Sequence, residues 1–261
     1  MWTIEGAIYN SSKWQPPLVQ LREPYYIIME YIRNGTLQDY ITQKRLAWGK
    51  AKTSGTESAS KEALSAVHIL MFAFEVANGM EYLSSVHLIH RDLATRNVLL
   101  GEGLVCKLCD FGLARDVTGS EQYEMLSGSA VPVRWLAVEC LLSNTYTNKS
   151  DVWSFGILLW ELVTLGALPY PDMSPDAIVD SVRQGFRLPR PAHCGLALYN
   201  LMASCWKASP KARPSFTELQ TKLDHFLKFD SEALDMPNFV ANYYAYPEAS
   251  KKGYTQVAES Q

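Results

Sequence analysis

His90-Arg91-Asp92-Leu93-Ala94-Thr95-Arg96-Asn97 concentrates one acid, two arginines, a histidine and an amide between two elements that read as buried. Before it runs an apolar helical repeat, with Ile69, Phe72, Val76, Met80 and Leu83 on one face. After it comes the strand-like Val98-Leu99-Leu100. Singly these polar residues have ordinary explanations, since Asp and Asn make turns and a histidine can be a satisfied core residue. The set is harder to dismiss, because Asp110-Phe111-Gly112 follows a strand, a turn and a second strand later. The turn, Gly101-Glu102-Gly103, reads as a hairpin between Val98-Leu99-Leu100 and Leu104-Val105. It lacks the third glycine and the following helix of a nucleotide-binding loop.

Working outward, Tyr25 to Tyr31 is rich in β-branched and aromatic residues and reads as a strand. Asn34-Gly35-Thr36 turns the chain into a short helix from Thr36 to about Ile41. Lys44 to Lys61 is polar and small-residue rich, which predicts a mobile loop. The helical repeat then covers Ala63 to Leu83. On the other side, Leu113 to Ser129 is polar and irregular, with Tyr123 at its middle. Asp151 to Thr164 is apolar almost all round, the pattern of a helix at the centre of a core. Further helices are expected after Ser174-Pro175, from Leu196 to Trp206, and from the capping box Ser215-Phe216-Thr217-Glu218 to about Phe229. From Asp230 to Gln261 periodicity is lost, which predicts a disordered tail.

The 261 residues suffice for one large or two small domains with a sizeable core. A hydrophobic content of 48% and a charged content of 20% are ordinary for a globular protein. A net charge of −3 gives no reason to expect nucleic acid or an anionic membrane surface as partner. The longest apolar candidate, Phe155 to Trp160, is cut short at Glu161, so no membrane span is expected in this chain. Met1-Trp2-Thr3-Ile4-Glu5 lacks the basic-then-apolar plan of a signal peptide. Five scattered cysteines are read as free thiols of a reducing, cytoplasmic compartment. Cys106 and Cys109 form a C-x-x-C, but an odd separation along a strand puts them on opposite faces.

The H-R-D-L-x-x-x-N and D-F-G pair, with Asp151-Val152-Trp153-Ser154-Phe155-Gly156 and Arg213-Pro214-Ser215-Phe216, resembles a protein-tyrosine kinase domain. Leu93-Ala94-Thr95-Arg96-Asn97 looks like the receptor form of the loop, and Asp110 to Val117 with Tyr123 resembles the platelet-derived and fibroblast growth factor receptor branch. The resemblance implies an α+β, protein-kinase-like fold. It consists mainly of the helical large lobe with short β-hairpins, the small lobe being largely absent. Residues 1–22 are unassigned, 23–229 form the kinase domain, and 230–261 form the tail. Residues Ala137-Val138-Glu139 stand where kinases usually have Ala-Pro-Glu.

The implied reaction is transfer of the ATP γ-phosphoryl group to protein tyrosine with Mg²⁺, in receptor signalling at the cytoplasmic side of the plasma membrane. The alternative is a catalytically inactive fragment or pseudokinase serving as a binding module. By resemblance, Asp92 takes the catalytic role, Arg96 neutralises charge near the transferred group, and Asn97 and Asp110 hold the metal. Met29 is the gatekeeper, the backbones of Glu30 and Ile32 bond the adenine edge, and Leu99 floors the pocket. His90 stacks on Phe111, Arg91 pairs with phosphorylated Tyr123, Asp151 holds the catalytic-loop backbone, and Glu139 pairs with Arg213. Pro132-Val133-Arg134-Trp135 forms the wall for a substrate tyrosine. Tyr243, Tyr244, Tyr246 and Tyr254 are candidate docking sites for phosphotyrosine-binding adaptors. The glycine-rich loop and its lysine strand have no counterpart here, so the chain alone is expected to be inactive.

Overall fold

The computed structural model describes residues 30–54, 64–116, 123–124, 130–229, 232–240 and 255–256, without the side chains of 51–54, 113, 116, 123–124, 130 and 255–256. Met29, Tyr243, Tyr244, Tyr246 and Tyr254 lie outside the described residues, as does most of the expected strand from Tyr25 to Tyr31.

Seven α-helices occur among the described residues: α1 Leu37–Ser54, α2 Ala66–Ser85, α3 Val138–Ser143, α4 Asn148–Val163, α5 Pro175–Arg183, α6 Leu196–Cys205 and α7 Phe216–Phe229. Their starts follow local chemistry. Thr147 caps α4 by accepting from the amides of Lys149 and Ser150, while the Ser150 hydroxyl accepts from the Thr147 amide. Ser174 accepts from the amide of Ala177 at 3.2 Å, and Pro175 takes the first position of α5. Ser215 and Glu218 complete a reciprocal cap at α7.

Helix α4 is the centre of the core, with every residue from Ser150 to Val163 buried. Helix α6 packs against it so closely that a Cβ built on Gly156 would lie 2.5 Å from Trp206 Nε1 and 2.7 Å from Cys205 Cβ. Only glycine fits there. Helix α2 lies between α4 and α7, presenting Ile69, Phe72, Val76, Met80 and Leu83 inward, the face expected from its spacing.

The strands are short and paired in twos, all antiparallel. They are β1 Leu88–Ile89 with β4 Arg115–Asp116, β2 Val98–Leu100 with β3 Cys106–Leu108, β5 Tyr123–Glu124 with β7 Thr145–Tyr146, and β6 Ala130–Val131 with β8 Thr255–Gln256. The β2–β3 hairpin sits as expected, but its second strand begins at Cys106 rather than Leu104, because a tight turn over Glu102–Leu104 uses those residues. Cys106 is buried and Cys109 half-buried, and both are free thiols. Burial and the carboxylates of Asp110 and Asp92 push the Cys109 thiol up to about 11, which keeps it protonated.

Three expectations are corrected. The short helix ending near Ile41 is α1, which continues to Ser54, through much of the stretch expected as a loop. Its inward face explains this, since Leu37 and Ile41 are fully buried, Arg45 is 3% exposed, and Trp48 packs edge-on to Phe239. The stretch from Leu113 to Ser129, expected to be irregular, contributes β4 and β5. The segment from 230 onward, expected as disordered tail, begins with packed structure. Ala233, Leu234, Met236 and Phe239 are buried, and Phe239 stacks edge-on to His193 with centroids 4.9 Å apart. Backbone bonds from Gly195 to Ala233 and from Asp235 to His193 hold this segment in place. Too short for helical periodicity, it is positioned by tertiary contacts that no local pattern reports.

Candidate active site

The loop from His90 to Asn97 lies between β1 and β2, with α4 beneath it. Asp151 of α4 accepts from the amide of His90 at 2.8 Å and from that of Arg91 at 3.0 Å. These bonds hold Arg91 in the left-handed region (φ 70°), which costs a non-glycine residue about 1 kcal/mol or more. Burial pushes the Asp151 carboxyl up to about 7, against the two amides and the Arg91 charge, which favour its ionised form. His90 is fully buried and neutral. Its Nε2–H donates to the Cys109 carbonyl at 3.1 Å, and its Nδ1 accepts from the Asp92 amide at 3.3 Å. Burial lowers its pKa, and the neutral ring tilts against Phe111 with centroids 5.2 Å apart.

Asp92 is 2% exposed. Arg96 Nη2 donates to one carboxylate oxygen, and Asn97 Nδ2 donates to the other at 2.7 Å. The same amide nitrogen also donates to the Asp92 carbonyl at 2.7 Å. Both Asn97 N–H bonds are therefore spent on Asp92, which leaves the amide oxygen as the group able to meet a cation. The amide of Cys109 donates to the Asn97 carbonyl at 2.9 Å, extending the β2–β3 ladder. This ties Asp110 to the neighbourhood of Asn97. Asp110 is exposed and in the left-handed region (φ 61°). Among the described residues no group of three or more His, Cys, Asp or Glu is arranged to hold a metal ion. An amide oxygen and one carboxylate suit Mg²⁺, which takes few protein ligands and fills its shell with phosphate and water.

Arg96 also lies over the Trp135 ring, 4.2 Å from its centroid. Trp135 belongs to a turn, Val133–Trp135, that follows Pro132 and is fixed by Arg134. Arg134 donates to the carbonyls of Pro169, Tyr170 and Met173. Beyond it, Glu139 and Arg213 form a two-bond ion pair at 2.6 and 2.7 Å, as expected. Arg91 lies over the ring of Tyr146, 4.4 Å away, and Tyr146 pairs with Tyr123 in the β5–β7 ladder. Of the residues expected to line a nucleotide pocket, Leu99 is half-buried in β2 and Thr36 bridges to it. Ile32 is half-buried, and the Glu30 carboxylate is held by Lys107 Nζ at 2.6 and 2.8 Å.

Sequence reading missed Glu161, noted only as a break in an apolar run. It is 1% exposed and accepts from the Thr95 amide (3.2 Å), the Thr95 hydroxyl (2.9 Å) and Trp135 Nε1 (3.0 Å). Burial raises its pKa against these donors. A second acid, after Asp151, inside a helix buried on every side was the available signal.

A helical domain with a few short hairpins, its loop acid bonded to an arginine and an asparagine above a central helix, is a protein kinase domain. The chain belongs to the protein tyrosine and serine/threonine kinase family, whose sequence model matches residues 17–223. It is 42% identical, over 85% of its length, to the tyrosine kinase receptor Cad96Ca of Drosophila melanogaster. It is 41% identical over 84% to fibroblast growth factor receptor 1 of Pleurodeles waltl, and 38% identical over 81% to the myoblast growth factor receptor egl-15 of Caenorhabditis elegans. The chain spans only 22–28% of the length of these relatives. Among the described residues, no helix is long and apolar enough to cross a membrane.

Proposed function

We propose that this chain is the catalytic portion of a receptor-type protein-tyrosine kinase that transfers the ATP γ-phosphoryl group to tyrosine, acting at the cytoplasmic side of a membrane. The supporting observation is the Asp92–Arg96–Asn97 cluster, with Asp110 tied beside it through the Cys109–Asn97 backbone bond. Asp92 orients the substrate hydroxyl and takes its proton. Its two bonded neighbours fix the carboxylate, so little reorganisation is needed during transfer. Arg96 adds positive charge beside the transferred group. Asn97 and Asp110 would hold Mg²⁺, which neutralises phosphate charge. Leu99 would floor the adenine pocket, the backbones of Glu30 and Ile32 would bond the adenine edge, and Met29 would take the gatekeeper role. The Pro132–Trp135 wall carries the substrate ring. Phosphorylated Tyr123 pairs with Arg91 and orders its segment. A binding module without catalysis has no use for this bonded cluster, so that reading is disfavoured.

The phosphates need further donors, which the family takes from a small lobe. Each preorganised donor lost costs about 10²–10³ in rate. The test therefore supplies those donors to the 261-residue chain. Joined to the small lobe of a related receptor, it should phosphorylate a tyrosine peptide, and Asp92→Asn should abolish this. Phosphorylation that survives Asp92→Asn would overturn the assignment.

A further inference from the structure

We propose that Trp135 is a positioning residue for phosphoryl transfer, acting through Arg96 on Asp92. The inference rests on the kinase reading above and adds a residue to it. Trp135 is 3% exposed, so its ring supports the substrate wall from within and is not the wall's surface. Arg96 lies over the indole with Cζ 4.2 Å from the ring centroid, and its Nη2 donates to the Asp92 carboxylate. A guanidinium is planar, so it can rest one face on a ring while its N–H groups point outward in its own plane. The indole is thus the seat from which Arg96 reaches the acid.

The seat is itself fixed to the core. Trp135 Nε1 donates to Glu161 at 3.0 Å, and the Trp135 carbonyl accepts from the Ser154 hydroxyl at 2.8 Å. Both partners belong to α4. The Trp135 amide donates to the Pro132 carbonyl at 2.9 Å, which closes the turn. Glu161 also accepts from the amide and the hydroxyl of Thr95, the residue before Arg96. The contacts therefore form a closed circuit. It runs from Asp92 to Arg96, to Trp135, to Glu161, to Thr95, and by one peptide bond back to Arg96. Burial raises the Glu161 pKa, and the Trp135 bond and the Arg96 charge oppose it, so the arginine is felt at both acids of the circuit.

An arginine side chain has many rotamers, and most of them would leave one Asp92 oxygen without its partner. The circuit removes that freedom before a substrate arrives, which is what preorganisation requires. It also makes the setting of the acid depend on the wall. Displacing the Val133–Trp135 turn withdraws the seat, and Arg96 then loses the surface that aims it. Arg134 guards against this by bonding the turn to the carbonyls of Pro169, Tyr170 and Met173. A shelf for substrate and a positioning residue differ in kinetics. Loss of a shelf raises KM for the peptide, whereas loss of a positioning residue lowers kcat and kcat/KM together.

The test uses the chain joined to the small lobe of a related receptor, with ATP, Mg²⁺ and a tyrosine peptide. Trp135→Leu should lower kcat about 10- to 100-fold, with KM for ATP and for peptide within about threefold of the parent. Trp135→Phe keeps a ring face under Arg96 and should retain at least about threefold more kcat than Trp135→Leu. In a chain already carrying Arg96→Ala, Trp135→Leu should cost less than about twofold, because the residue it acts through is gone. A mere loss of folded protein would lower kcat by the same factor in both backgrounds, so it does not imitate this coupling. Should Trp135→Leu fail to fold, Trp135→Phe goes through the same comparison, and its loss of about three- to tenfold should shrink below about twofold beside Arg96→Ala. Equal factors with and without Arg96→Ala, equal kcat in the Phe and Leu variants, or a raised peptide KM at unchanged kcat overturn the proposal and leave the kinase reading standing. If the parent fusion phosphorylates no tyrosine peptide, the kinase reading falls and the role of Trp135 with it.

Discussion

Glu139→Gln should destabilise this domain by about 3 kcal/mol, through the charge it leaves on Arg213. The Arg213 side chain is fully buried, and that of Glu139 is 16% exposed. Two bonds at 2.6 and 2.7 Å join guanidinium to carboxylate. Arg213 also donates to the carbonyls of Lys207 and Lys149, each at 2.8 Å, and lies 5.0 Å from the Trp153 ring centre. These carbonyls satisfy its hydrogens but do not neutralise its charge. Breaking a buried pair from one side costs about 3–5 kcal/mol, and the residual exposure of Glu139 argues for the lower end. Urea unfolding would read this as a lower midpoint at unchanged slope. Thermal unfolding would read it as a drop of about 6–12 °C for a domain of this size. Glu139→Gln with Arg213→Met should cost about 2 kcal/mol less than the sum of the two single changes, because the stranded charge is gone. A single-variant cost under about 1 kcal/mol, or strict additivity, would refute the claim that α3 is held by a desolvated pair.

Glu161→Leu should cost about 2 kcal/mol or more, since it strands the buried N–H groups of Thr95 and Trp135. Glu161→Gln, whose amide oxygen can serve both N–H groups while the Thr95 hydroxyl turns to accept, should be far milder. Equal costs in urea titrations would count against the bond network. His90 and His193 are both kept neutral by burial, with lowered pKa values, so the folded chain binds fewer protons than the unfolded one in mild acid. Their contribution is present above the unfolded pKa of about 6.5 and is lost as pH falls through it. Asp151, raised to about 7, acts oppositely, and its share is lost as pH rises through that value. Urea midpoints from pH 5 to 8 should fall less steeply on the acid side in His193→Gln than in the parent, and an identical slope would exclude His193 as a contributor.

The elements legible in the sequence were those whose pattern is local. The face of α2, the caps at Ser174 and Ser215, and the wholly buried α4 each follow from residues within one or two turns. The proposed site residues were legible as a spaced set, because Asp92 and Asn97 lie just before one hairpin and Asp110 just after it. What escaped depends on partners far along the chain. Trp48 extends α1 by packing on Phe239, and neither residue signals the other. Polar composition from Lys44 to Lys61 pointed to a loop, and tertiary packing of the helix overrode it as far as Ser54. Likewise, β6 and β8 are too short for any period to show, and their pairing joins segments more than a hundred residues apart.

Helix α4 explains why the loop geometry is not a property of the loop alone. Its two acids, Asp151 and Glu161, stand about 15 Å apart along the helix axis. One holds the backbone of His90 and Arg91, and the other holds Thr95 and Trp135. Burying two carboxylates opposes folding, and the apolar remainder of α4 offsets it. The gain is positional. Apolar packing by itself tolerates small slips of a loop over a helix, whereas four hydrogen bonds at two separated points do not. The stretch between those points contains Asp92, and Arg96 follows one residue after Thr95. Asp92, the proposed catalytic acid, is thus suspended between two fixed ends, and the turn that carries Trp135 hangs from the same glutamate as the loop. Loop and turn therefore share one frame of reference, the core helix beneath both.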